Sequence, residues 1–130
     1  MQQSHKPLKE ETLELVAERF RLLGDPLRLR LLQTLAAGEI SVAQLVETTS
    51  TTQANVSKHL QLLLRAGLVK RRKDGLHSYY SIADASVFPL CDLVCGSLSA
   101  HLEGQLAAFE ALRPVTPPRP ATPPRSKSPR

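Results

Sequence analysis

One segment, residues 53–69, constrains the fold more than any other because it carries two patterns at once. Its apolar residues recur at helical spacing and form one stripe: Val56, Leu60, Leu63 and Leu64. Its other side carries short or flexible hydrogen-bonding groups: Gln53, Asn55, Ser57, Lys58 and Gln61. Thr52 is expected to cap this helix and Gly67 to end it. We therefore predict a helix that packs on a core through one side and presents amides and a cation on the other.

The residues that follow predict a basic β-hairpin. Asp74 and Gly75 form a strong two-residue turn signal, and β-branched and aromatic residues flank it. Residues 53–80 contain six Lys and Arg residues against a single Asp. Residues 113–130 hold five basic residues and no acid, which accounts for the whole net charge of +5. The overall charge is therefore no evidence for nucleic-acid binding, whereas the local basic patch has the character that a phosphate backbone requires.

Capping signals upstream predict three further helices. The apolar spacing of residues 13–23 indicates a first amphipathic helix. Asp25 followed by Pro26 opens a second helix. Residues 41–44 match a capping box and start a short third helix, and residues 47–51 are expected to be a tight polar connection.

A long last helix is expected after the hairpin, capped by Asp84 or Ser86 and with Pro89 in its first turn. The predicted fold is mainly α with a small β-hairpin, in the order α-α-α-α-β-β-α of a winged helix-turn-helix. In such a fold the fourth helix enters the major groove of double-stranded DNA, and the hairpin reaches the adjacent backbone or minor groove. Gln and Asn pair bidentately with adenine, and Lys binds guanine or phosphate. The alternative for the polar side of the helix alone is an ordinary solvated surface.

Three stretches resemble the ArsR/SmtB family of small bacterial repressors: LGDPLRLRLLQTL (23–35), QANVSKHLQLLLRAGLV (53–69) and RRKDGLHSYYSI (71–82). With the flanking helices the resemblance covers about residues 10–110. It implies a homodimer built on the first and last helices, which binds a palindromic operator. It also implies release from that operator by a metal, a metalloid or a thiol-reactive signal.

The resemblance assigns DNA-binding positions as well. The recognition helix would contribute Thr52, Gln53, Asn55, Ser57, Lys58 and His59, to which the polar side of the helix adds Gln61. The wing would contribute Arg71, Arg72, Lys73 and His77. His59 lies between the apolar and polar sides, so packing or a phosphate contact is favoured over metal binding. The hairpin cations have an alternative role as edge-strand residues that prevent aggregation.

Two metal sites known in the family, which would serve as sensors, lack their ligating residues in this sequence. The start of the third helix, ISVAQL, has no Cys-x-Cys motif, and the last helix has Asp84 and His101 without a second set in register. Cys91 and Cys95 remain, one helical turn apart with β-carbons roughly 6 Å from each other. Their thiolates suit a thiophilic metal, As(III) or Sb(III) as the inducer, and no cofactor is otherwise required. Because arsenite prefers three sulfurs, a thiol of the second subunit would complete the site.

The same sequence pattern would arise if the two cysteines only packed against apolar neighbours and bound no ligand. Cys91 and Cys95 lie at the centre of an apolar stripe whose other members are Phe88, Leu98, Leu102, Leu106 and Phe109. Free Cys is among the most buried residue types, so thiol sensing and plain packing at a dimer seam both stay open, as does a regulator that senses nothing. A disulfide between the two thiols within one regular helix is disfavoured because the Cβ vectors run nearly parallel.

The rest of the chain limits the class of protein. We expect a flexible N-terminus at residues 1–9, one winged-helix domain at residues 10–112 and a disordered Pro/Arg-rich tail at residues 113–130. The tail gives a further alternative, a module that binds a partner or makes weak DNA contacts. The sequence shows no secretory signal, no apolar run of membrane length and no catalytic arrangement. A cytoplasmic protein without enzymatic activity or a membrane contact is therefore expected.

Overall fold

The structure, a computed structural model, describes residues 5–112, and the chain divides into two compact units between Leu90 and Cys91. The elements in chain order are α1 Glu10–Leu23, α2 Pro26–Leu35, β1 Ile40–Ser41, α3 Val42–Thr49, α4 Gln53–Arg65, β2 Val69–Asp74, β3 His77–Ile82 and α5 Val87–Leu112. This order confirms the predicted winged helix-turn-helix and adds the short strand β1. The Pro/Arg-rich tail predicted after residue 112 lies outside the described residues.

The predicted caps are present at the starts of three helices. The Asp25 carboxylate accepts hydrogen bonds from the backbone N–H groups of Leu27 and Arg28 at 2.9 and 3.2 Å, which caps α2. Residues 41–44 form a reciprocal capping box at the start of α3. The Thr52 hydroxyl accepts from the backbone N–H of Asn55 at 3.1 Å and caps α4. These side-chain acceptors satisfy backbone donors that a helix N-terminus would otherwise leave unpaired.

The connection between α3 and α4 is shorter than predicted. Residues 47–51 were expected to be a polar loop, but α3 continues to Thr49. The hydroxyls of Thr48 and Thr49 donate to carbonyl oxygens one turn earlier, at 2.9 and 2.7 Å, and the buried side chain of Thr49 extends the packing of the helix. Ser50 then makes the turn with a left-handed backbone, φ 54°, and its N–H donates to the carbonyl of Val46.

The three strands form one antiparallel sheet in the order β1-β3-β2. The predicted hairpin is present, but its turn is displaced by one residue. Asp74 pairs with His77, so the two-residue loop is Gly75 and Leu76 rather than Asp74 and Gly75. Gly75 has a φ of 60°, and Gly is favoured at the first central position of a type II′ turn.

The core of the first unit lies between α2, α3, α4 and the sheet. Its fully buried side chains are Leu31, Leu32, Leu35, Leu45, Val56, Leu60, Leu63, Leu68 and Val69. Three of the four residues in the predicted α4 stripe belong to this core, and the fourth, Leu64, is half-buried. The apolar side of α4 is thus fixed against the core, which leaves its polar side facing outward.

The last helix, α5, begins at Val87 as predicted, with Pro89 in its first turn. The Asp84 carboxylate accepts a hydrogen bond from the backbone N–H of Ser86 at 3.0 Å and organises the chain just before the helix. Residues 92–112 are all exposed, including Leu98, Leu102, Leu106 and Phe109. None of the helices described for residues 5–112 combines the length and the apolar character that a membrane crossing requires.

Candidate nucleic-acid interface

The polar side of α4 and the β2–β3 hairpin, which we call the wing, line one concave groove of about 260 Å³. The helix contributes Gln53, Ser57 and Gln61, which recur every four residues and so share one side of α4. The wing contributes Arg71 and Lys73 from β2. The structure therefore brings together amides, a hydroxyl and two cations that are up to 20 residues apart in the sequence.

The remaining walls of this α4–wing groove come from two other places. The first turn of α3 lines it through residues 41–43, and the hairpin tip and β3 line it through Leu76, His77, Ser78 and Tyr80. Leu76 is fully exposed at the tip. The predicted wing residue His77 therefore lies on the same surface as the predicted helix residues.

Strand geometry divides the basic run of the wing into two faces. Successive side chains of a strand point to opposite sides of the sheet, and Arg71 and Lys73 therefore share a face while Arg72 lies on the other. The cross-strand partners agree with this division. Arg71 pairs with Tyr80 and Lys73 with Ser78, all four of which line the groove, whereas Arg72 pairs with Tyr79, which does not.

Arg72 is exposed, but its guanidinium is bound by residues of its own chain. Its Nε donates to both carboxylate oxygens of Glu39 at 3.2 Å, and its Nη2 donates to Oε1 of the same residue at 2.7 Å. The guanidinium carbon lies 4.6 Å from the centroid of the Tyr79 ring. Donation from Arg72 lowers the pKa of the Glu39 carboxyl, and the same bond raises the pKa of the guanidinium. Of the predicted wing cations, Arg72 is thus the one that the structure places away from the groove.

Two predicted residues of α4 already have partners at the start of the helix. Thr52 uses its hydroxyl as the N-cap acceptor. Asn55 donates from Nδ2 to the Thr51 hydroxyl at 3.1 Å, so a bidentate pair between Asn55 and adenine first requires that bond to break. Lys58 is exposed one turn further along the helix.

His59 does not line the groove, and neither do Thr52, Asn55 and Lys58. It is 9% exposed, and its Nδ1 accepts a hydrogen bond from Nε of Arg28 at 3.0 Å. Arg28 also donates from Nη1 to the carbonyl of Leu22 at 2.9 Å, which ties the end of α1, the start of α2 and the middle of α4 together. These contacts favour the packing role for His59. No local pattern in the sequence indicates this role for Arg28, because its partners lie 31 and six residues away.

The two cysteines lie one turn apart on α5, where Cys91 is half-buried and Cys95 is exposed. Among residues 5–112, no group of three or more His, Cys, Asp or Glu side chains is arranged to hold a metal ion. A single chain therefore supplies two soft donors, one fewer than As(III) prefers. The Asp84 carboxylate accepts a hydrogen bond from the backbone N–H of Ser86 and lies 4.0 Å from Arg19.

Comparisons with known proteins agree with this architecture. Residues 23–72 match the family model of a helix-turn-helix domain. An HTH-type transcriptional regulator from Methanocaldococcus jannaschii is 39% identical over 85 residues, which cover 65% of this chain and 96% of the relative. A probable mercury resistance operon repressor from Streptomyces lividans is 44% identical over 71 residues, which cover 55% of this chain and 57% of the relative.

A solved structure leads to the same family. The homodimeric winged helix-turn-helix DNA-binding domain of a possible ArsR-family regulator from Mycobacterium bovis matches with a TM-score of 0.63 and 33% identity. The match covers 78% of this chain and 94% of that one. The relatives are transcriptional regulators rather than enzymes, which confirms the expectation from the sequence. With its fold, its α4–wing groove and these relatives, the chain belongs to the ArsR/SmtB family of winged helix-turn-helix transcriptional regulators.

Proposed function

We propose that this regulator is a repressor that binds a palindromic operator as a homodimer, with α4 in the major groove and the wing against the adjacent backbone. The observation that carries this proposal is the α4–wing groove, in which side-chain amides and a hydroxyl of α4 and two cations of β2 line one concave surface. Gln53 and Gln61 have the side-chain amides that pair with adenine, and Ser57 bonds several base edges. Lys58, Arg71 and Lys73 are exposed cations suited to phosphates.

Exposed apolar side chains support the homodimer. In α1, Leu13, Leu15 and Phe20 are 45, 66 and 54% exposed. The outer part of α5 carries its own apolar stripe, and burial of apolar surface is the main driving force of association. The Mycobacterium bovis neighbour is homodimeric. Two copies of α4 related by a two-fold axis would bind two half-sites about one helical turn of DNA apart.

Adjacent residues of β2 provide a matched test of this interface. A fluorescein-labelled duplex is first selected by the full chain from a random-sequence pool, and its affinity is measured by fluorescence anisotropy. Arg71→Gln and Lys70→Gln each remove one exposed cation, but only Arg71 lines the groove. We expect Arg71→Gln to weaken binding about tenfold and to lower the salt dependence by roughly one phosphate contact per chain, while Lys70→Gln has a much smaller effect. Equal effects of the two variants would contradict the proposed interface.

We infer further that a thiophilic metal, As(III), Sb(III) or a thiol-reactive signal at Cys91 and Cys95 releases the repressor from DNA. Two observations support this inference. The thiols lie one turn apart on α5 with Cys95 exposed, and a relative of this chain is a probable mercury resistance operon repressor. A thiol of the second subunit would supply the third sulfur that As(III) prefers. Binding at the apolar stripe of α5 would then deform the proposed dimer interface.

Alanine substitutions separate sensing from packing, because alanine keeps a small apolar side chain but removes the thiol. The Cys91→Ala/Cys95→Ala variant and the unaltered chain are bound to the selected duplex and titrated with sodium arsenite and with Hg²⁺. We expect either ligand to release the unaltered chain and to leave the double variant bound. Release of both proteins would show that the cysteines are not the sensor, and release of neither would exclude As(III) and Hg²⁺ as the signal.

A further inference from the structure

We propose that Glu39, Arg72 and Tyr79 form a brace that sets the orientation of the wing, and with it the direction in which Arg71 and Lys73 face the duplex. The inference rests on the proposed function, since it assigns a positioning role to residues outside the groove. Arg72 was predicted to contact DNA itself. In the brace it acts through its two neighbours on β2 instead.

The brace crosses the whole sheet. Arg72 lies on β2, and its register partner on the central strand β3 is Tyr79, whose own partner on β1 is Ser41. The guanidinium passes over the Tyr79 ring and ends on Glu39, the residue just before β1. One side chain thus links an outer strand, the central strand and the segment that enters the other outer strand.

Both ends of the brace are attached to parts of the α4–wing groove. On one side, Arg72 lies between Arg71 and Lys73, which line the groove. On the other side, β1 leads directly into the first turn of α3, and Ser41 both caps that helix and lines the groove. A change in the Glu39–Arg72 distance would therefore move the wing cations relative to the helix-turn-helix.

The base of the wing is held by the buried side chains of Val69 and Tyr80, whereas residues 70–77 are all exposed, so its outer part has few other constraints on its orientation. A two-stranded hairpin is marginally stable by itself, and β1 adds two residues of pairing. An exposed ion pair usually contributes little to stability, and the side chains of Arg72 and Glu39 are 53 and 38% exposed. A guanidinium that is held bidentately and stacked on a ring fixes a geometry, however, because the planar fork allows few alternatives. The expected consequence is on wing orientation more than on the free energy of unfolding.

A rival role for Arg72 makes the opposite prediction. If Arg72 were a phosphate ligand that Glu39 holds back, removal of the Glu39 charge would free the guanidinium and tighten DNA binding. Loss of a negative charge near DNA also favours binding by simple electrostatics. If Glu39 is part of the brace, the same substitution weakens binding in spite of the more favourable charge. The sign of the effect therefore distinguishes the two roles.

The test uses the full chain and the labelled duplex selected from a random-sequence pool. Glu39→Gln removes the carboxylate charge, and Arg72→Lys keeps the positive charge but loses the bidentate fork. Asp74→Asn is the matched control, because its carboxylate lies 3.8 Å from Arg72 Nη1 without the bidentate bonds. We expect Glu39→Gln and Arg72→Lys each to weaken binding about threefold to tenfold, and Asp74→Asn to leave it equal or slightly tighter. Hydrogen exchange of the backbone amides in residues 70–82 should become faster in Glu39→Gln and stay unchanged in Asp74→Asn.

Each result decides one of the two proposals. Binding by Glu39→Gln that is equal to or tighter than that of the unaltered chain overturns the brace, and so does full affinity in Arg72→Lys. Arg71→Gln, measured beside them, reports on the DNA interface itself. If Arg71→Gln weakens binding while Glu39→Gln does not, the brace alone is wrong; if Arg71→Gln has no effect, the proposed interface is wrong.

Discussion

In the first compact unit, α4 buries its apolar side within the chain, whereas the α5 segment from Cys91 onward leaves its apolar stripe exposed. In the first unit, three of the four residues on the apolar side of α4 are fully buried against α2, α3 and the sheet of the same chain. In the α5 segment, a stripe of equal regularity stays exposed, with Leu98 and Leu102 at 56 and 59%. The DNA-binding surface that we propose on the first unit is thus formed by residues of one chain. The sensing and dimer surface that we propose for α5 requires a second copy.

The largest expected effect concerns the core below the groove. Leu60 is fully buried on α4, and Leu60→Ala leaves a cavity where the side chain was. We expect a loss of about 2–5 kcal/mol in the free energy of unfolding, with no dependence on protein concentration. Urea denaturation at several protein concentrations measures this loss. A loss that varies with concentration would mean that the packing around Leu60 depends on a partner chain.

A smaller effect is expected on the α5 stripe. Leu102→Glu places a charge in the proposed dimer interface and should weaken dimerisation by roughly 1–3 kcal/mol, which analytical ultracentrifugation detects as dissociation at lower loading concentrations. Ala100→Glu is the control, since at about 100° per residue Ala100 lies on the opposite side of the helix. Equal dissociation in both variants, or in neither, would contradict the assignment of this stripe to the interface.

The smallest effect is a pH dependence at the start of α2. Hydrogen bonds from the backbone N–H of Arg28, with smaller contributions from His59 and Leu27, lower the pKa of the Asp25 carboxyl below 3.8. A carboxyl with a lowered folded pKa contributes stability that is complete above its unfolded pKa and is lost as the pH falls through the folded value. We expect Asp25→Asn to reduce the difference between urea midpoints measured at about pH 6 and about pH 3. An unchanged difference between the two midpoints would show that protonation of Asp25 does not contribute to the pH dependence of stability.

Local signals in the sequence were sufficient for the helices and the wing. Asp25, Ser41 and Thr52 were predicted as caps and are caps, because capping is decided by residues within three positions. The apolar spacing of α4 identified its buried side for the same reason. Strand β1 could not be predicted this way. Its two residues have no periodicity, and they are a strand only because they pair with Tyr80 and Tyr79 of β3.

The sequence predicted which residues the candidate site would contain but not how they are arranged in space. Arg71, Arg72 and Lys73 were treated as one basic run, although the two-residue period of a strand already placed Arg72 on the opposite face from its neighbours. The partner of Arg72 is 33 residues away at Glu39, and that of His59 is 31 residues away at Arg28. Contacts across such separations follow from the packing of whole elements, and no local pattern in the sequence encodes them.

One measurement tests most directly the claim that α4 and the wing form a single DNA-binding surface. The isotopically labelled full chain is titrated with the selected duplex, and the chemical shifts of its backbone amides are followed by NMR. We expect the largest changes at Gln53, Ser57 and Gln61 of α4 together with Arg71 and Lys73 of β2, at the same duplex concentration. Large shifts in only one of these two sets, or shifts centred on α1 and α2, would contradict the claim.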